Sequence, residues 1–160
     1  MDIGTAFVGL ISVAVSSVPF VLTTRSRKKN EKELLQSIKN LAKNENCEIT
    51  QSETCGNYAI GIDETKNFVF FQSKSKEVVK HEIIDLATIK KCKVVNISST
   101  TADNDKIIEK LNLDFSPISK NKSDIILEFY NSDISFQLSG ELQSLNKWNT
   151  LINKMLISTK

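Results

Sequence analysis

A single histidine, His81, stands in 160 residues. Acid–base catalysis or metal binding would need it beside other groups. Its neighbours Lys80 and Glu82 lie in a strand-like stretch, where successive side chains point to opposite faces. His81 therefore reads as a surface or edge-strand residue. The three cysteines, Cys47, Cys55 and Cys92, form no C-x-x-C pair, and no second histidine completes a zinc set. Cys92, beside Val94 in a strand pattern, reads as a small buried hydrophobe. In a reducing compartment all three stay thiols, whereas Cys47 and Cys55 would pair only in a domain outside the cell. Only five glycines are present, and they make neither GxGxxG nor a Walker-type loop. Asp63–Glu64 and Asp103–Asp105 are acidic pairs, but both sit in turns, where acids serve backbone geometry and solubility. Asp103-Asn104-Asp105 opens like a calcium loop, yet the required glycine and closing glutamate do not follow. No catalytic residue, metal ligand or cofactor site is assigned, and the expectation is a non-enzymatic protein.

Charge is missing from one long stretch. Ile3 to Leu22 is 20 residues without an acid or base. A helix of that length rises about 30 Å, the hydrocarbon thickness of a bilayer. Immediately after it come Arg25, Arg27, Lys28 and Lys29, with Lys32 close behind. This order is the reverse of a secretory signal peptide, and no small-x-small cleavage site follows the run. Residues 1–23 are thus expected to be an uncleaved single-pass helix in the inner cell membrane. The basic residues mark the cytoplasmic side, so the C-terminal domain is expected in the cytoplasm. Thr5 with Gly9, and Ser12 with Ser16, place small residues four apart, a spacing compatible with self-association of membrane helices.

Residues 24–44 carry seven cations and two acids, net +5; with Asp2 this leaves −2 for residues 45–160 of a chain whose total is +2. The basic character belongs to the juxtamembrane segment. A mildly acidic remainder speaks against nucleic-acid binding, which needs a basic face. The juxtamembrane cations fix topology first, and they also suit anionic head groups. Leu34, Leu35, Ile38, Leu41 and Ala42 recur at helical spacing, giving a helix that continues as a stalk, lies on the bilayer or packs on the domain.

Residues 45–160 suffice for one compact domain. Glu48–Ser52 reads as a weak strand. Tyr58–Ile62 and Phe68–Gln72 read as a hairpin across the polar turn Asp63–Asn67. Strands are expected at Val78–Ile84 and Lys91–Ile97. Residues 98–124 are polar and read as an insertion or loop with a short helical stretch at Asp105–Leu111. A second hairpin is expected from Ile125–Tyr130 and Ile134–Leu138. An amphipathic helix from Glu141 to about Leu156 closes the chain, with Ser139 as cap and Glu141 favourable in the first turn.

The fold class is therefore α+β: a bent antiparallel sheet or half-barrel plugged by a C-terminal helix. The strand order, the terminal helix and Trp148 resemble the pleckstrin-homology-like superfold. Tyr58-Ala59-Ile60-Gly61-Ile62-Asp63, the run Ile84 to Cys92, and Trp148 to Leu156 are similar to small bacterial pleckstrin-homology-like proteins of unknown role. The resemblance spans roughly residues 57–156 and departs at 98–124. Phosphoinositide-binding members carry a basic first hairpin loop; Asp63–Asn67 holds two acids and one lysine, so the resemblance implies the fold without that ligand. It also implies a scaffold that binds a protein partner at a sheet edge or loop. Segment 98–124 is the expected contact surface. The alternative is a peripheral sensor of anionic lipid that uses residues 24–44.

Overall fold

The computed structural model describes residues 25–76 and 78–158. The expected membrane span, 1–23, lies outside them. Among the described residues no helix is long and apolar enough to cross a membrane.

A helix over 25–44 (α1) leads into four strands, β1 (Gln51–Cys55), β2 (Tyr58–Asp63), β3 (Phe68–Ser75) and β4 (Val78–Asp85). A 3-10 turn at Leu86–Thr88 follows. Then come β5 (Ile89–Thr100), β6 (Lys106–Pro117), β7 (Ile125–Asn131) and a final helix α2 (Glu141–Ser158). The chain is thus α+β, with antiparallel sheets and a C-terminal helix. The strands form one sheet of order β1-β2-β3-β4 and one of order β5-β6-β7. Every pairing is antiparallel, so short turns connect neighbours.

All six residues of β2 are buried. Alternation places Tyr58, Ile60 and Ile62 on one face and Ala59 and Gly61 on the other. The first set joins Val69, Phe71 and Ile84 in the main core, against Leu111, Leu113, Phe115, Leu127 and Phe129 of the second sheet. Leu145, Trp148 and Ile152 of α2 close that core. The opposite face carries a second cluster: Ala59 and Phe70 meet Leu34, Ile38 and Ala42 of α1, with Cys47. Gly61 sets the close approach, because a Cβ there would lie 3.0 Å from Ile49 and 3.1 Å from Ile38. Of the three placements open to the first helix, the chain adopts packing on the domain.

The 98–124 segment differs from its sequence reading. Its core is β6, a twelve-residue strand that pairs with β5 on one side and β7 on the other. The expected short helix at Asp105–Leu111 is not formed. Leu111, Leu113 and Phe115 alternate and are all buried, so a period of two prevails over the polar composition between them. The expected hairpin of 125–130 with 134–138 is likewise replaced, since β7 pairs with β6 (Phe115↔Ile125, Leu113↔Leu127). Asn131 turns the chain away instead. Its side-chain oxygen accepts the Asp133 N–H at 3.0 Å, and its carbonyl accepts those of Ile134 and Ser135 at 3.0 Å each. The start of α2 also differs: the Glu141 carboxylate reaches back to accept the N–H of Ser139, rather than Ser139 supplying the cap.

Candidate binding surface

Strand β4 is an edge of the first sheet, and it is unevenly buried. Ile84 lies in the main core, and Ile83 packs on the α1 cluster. Val78, Val79, Lys80, His81 and Glu82 are all exposed, whichever face they occupy. Val78 is 58% and Val79 50% exposed. An edge strand offers unpaired backbone donors and acceptors, a template for an added strand. Lys80 and Glu82 dilute its apolar character, as charges on natural edges do.

The register explains what lies beside this half-strand. Tyr58, Ser73 and Lys80 form one cross-strand row facing the sandwich interior. At that end the sheets part around a pocket of about 60 Å³. Val78, Lys80, Tyr58, Phe129, Tyr130 and Ile134 contribute to its lining. Tyr58 and Phe129 give it an aromatic floor, with Phe71 behind them: the Tyr58 ring lies 4.6 Å from Phe129 and 5.4 Å from Phe71, with Phe71 and Phe129 5.7 Å apart. Lys74 and Lys80, with Glu128 and Glu141, give its lining two charges of each sign. The space fits one side chain of an extended peptide better than a cofactor.

The titratable groups behave as parts of the framework. Burial pushes the Cys92 thiol up to about 12, reinforced by Asp114. Burial raises Cys47 as well, with Asp63 adding to it, and raises Cys55, with Glu141 adding to it. Raised thiols are poor nucleophiles at neutral pH. All three cysteines are free, and Cys92 is buried in the main core as expected. His81 sits exposed on the β4 edge. Asp63 is buried; burial alone would raise its pKa, but it accepts the N–H groups of Lys66 (2.9 Å), Glu48 (2.8 Å) and Thr65 (2.9 Å), which together hold it below the usual range. It is thus the organiser of the β2–β3 turn. Asp105 lies in the β5–β6 turn, closed by Thr101, which donates its N–H to the Asp105 carbonyl at 2.9 Å. Among the described residues, no group of three or more His, Cys, Asp or Glu is arranged to hold a metal.

The basic residues singled out in the sequence, Arg25, Arg27, Lys28, Lys29 and Lys32, are all exposed on α1. Glu33 ties this helix to the sheet through Lys74 at 3.7 Å, and it also meets Lys29 at 4.0 Å. Both pairs are exposed and contribute little. At the far side of the sheet, Glu53 of β1 accepts from Lys147 (2.6 Å) and from the Trp148 indole (3.1 Å), which locks α2 to the β1 edge.

The sequence reading places the contact surface on 98–124; the structure builds strand β6 within that segment and leaves the β4 edge open. The available signal was Val78-Val79-Lys80-His81-Glu82, which neither alternates nor stays apolar. Such a pattern fits a strand covered on neither face. No protein-family model, curated protein or solved structure matches the chain.

Proposed function

We propose that this protein is a non-catalytic, membrane-anchored binding module. Its domain resembles pleckstrin-homology-like scaffolds, with four strands, three strands and a C-terminal helix bearing Trp148. Its N-terminal run, Ile3–Leu22, anchors it in the inner membrane, and the domain faces the cytoplasm on the side marked by Arg25–Lys29. The partner is a protein that contributes an extended segment to the β4 edge. One apolar side chain of that segment enters the aromatic-floored pocket, and main-chain pairing supplies the affinity. The observation that carries this reading is the half-strand Val78–Glu82, exposed on both faces beside that pocket. Net charge of −2 on residues 45–160 favours a protein over a nucleic acid as partner.

The test is a photo-activatable side chain at Val79 in the full chain, expressed in a bacterial host and irradiated in intact cells. The same group at Lys154, on α2, is the control. Adducts of discrete mass from Val79 and not from Lys154 are expected. Equal labelling at both positions, or none at Val79, overturns the assignment of the edge.

A further inference from the structure

The segment 132–140, between β7 and α2, holds the most exposed aromatic residue of the described chain. Phe136 is 103% exposed, with Ile134 at 39% and Leu138 at 38%. Ser135, Gln137 and Ser139 separate the three, and the chain here is bent rather than extended: Ile134 lines the pocket beside β4, whereas Phe136 lines a different cleft. A bare phenyl ring in water is unfavourable unless something covers it.

Its position decides what that is. Phe136 shares a cleft of about 790 Å³ with Ser26, Arg27, Asn30 and Glu31 at the start of α1. The uncharged run ends at Leu22, and only Thr23 and Thr24 separate it from Arg25. Three Cα–Cα steps span at most about 11 Å. Whatever conformation those residues take, the start of α1 is tethered within that distance of the end of the run. Helix α1 is not free to swing away from the domain, because Leu34, Ile38 and Ala42 are buried against the sheet. A run seated in a bilayer therefore brings the start of α1, and with it the rim of the cleft that Phe136 shares, to the membrane surface. Arg25, Arg27, Lys28 and Lys29 surround the same end with exposed cations, which favour anionic head groups, while Glu31 is the acid in the cleft. Aromatic rings flanked by cations are the side chains that settle at the membrane interface.

We infer that segment 132–140 is a second membrane contact: Phe136 inserts into the interfacial layer beside the anchor. The inference rests on the membrane-anchor reading of residues 1–23. With two attachment points the domain has a fixed tilt on the bilayer instead of turning about a single tether.

The full chain carrying Phe136→Trp, reconstituted in vesicles of phosphatidylcholine and phosphatidylglycerol, tests this. Trp148 is only 1% exposed, so the unsubstituted chain supplies a constant background. The expected result is added emission that is blue-shifted and is lost when the lipid is brominated near the head-group end of its acyl chains. If the chain floats with the vesicles but the added emission stays water-like, the anchor stands and the second contact falls. A blue shift that brominated lipid does not quench means that protein, such as a second copy of the chain, covers the ring, and overturns the inference. A chain that does not float with vesicles overturns the anchor reading and this inference with it.

Discussion

Replacing Ile38 by alanine tests whether α1 is part of the fold or a mere stalk. Ile38 is fully buried, between Gly61 of β2 and the rest of the α1 cluster. Alanine removes three carbons, about 0.8 kcal/mol each by transfer, or about 2.4 kcal/mol. The cavity left behind adds to this, and isoleucine-to-alanine changes in cores cost about 2–5 kcal/mol. We expect about 3 kcal/mol. For a chain of this size each kcal/mol moves the midpoint by about 2–4 °C, so Tm should fall by about 6–12 °C. The assay is thermal unfolding of the full chain in mild detergent, followed by the fluorescence of the buried Trp148. Lys39→Ala, at the adjacent exposed position, is the control and should stay within about 0.5 kcal/mol. An Ile38→Ala midpoint indistinguishable from that control would refute the packing of α1 and, with it, the rigid link between the basic end and the sheet.

Other expectations follow from particular contacts. Gly61→Ala should overpack the same seam, with its new methyl 3.0 Å from Ile49, and cost about 1–3 kcal/mol in chemical denaturation. Gly56→Ala should also destabilise, because Gly56 has φ +53° and its Cβ would press on the Glu141 carboxylate. Asp63→Asn weakens the charge-assisted acceptor for three backbone N–H groups and should lower stability at pH 7 by about 1–3 kcal/mol. Because the folded pKa of Asp63 is depressed, its contribution is present above the unfolded carboxylate value and is lost as pH falls through the folded one. The variant should therefore show a flatter fall in stability under acid than the parent; parallel pH curves would contradict the role given to Asp63.

The parts legible in the sequence are those where one period dominates. Tyr58–Ile62 and Phe68–Gln72 were readable as a hairpin, and the stripe from Leu142 to Leu156 as a helix. Burial of β2 on both faces was not legible, because Tyr58–Ile62 reads as an alternating strand and nothing in it shows what covers Ala59 and Gly61. That depended on α1, whose stripe of Leu34, Ile38 and Ala42 fits a sheet or a bilayer equally well. Strand β6 was hidden because Asn112 and Asp114 separate its buried Leu111, Leu113 and Phe115, and local polarity outweighed a three-residue alternation. The candidate surface was hidden for a different reason. An edge is a property of sheet order, and only the placement of β4 outside β3 leaves Val78–Glu82 open. The sequence reads Ile134–Leu138 as a strand, a placement that would cover Phe136; the Asn131 turn leaves it bare.

The most direct test of the membrane-anchored reading uses the full chain with a topology reporter fused to Lys160 in a bacterial host, with the membranes washed in alkaline carbonate. The expected result is that the chain stays in the membrane pellet and the reporter is active only in the cytoplasm. Release by carbonate, or activity only in the periplasm, would contradict it.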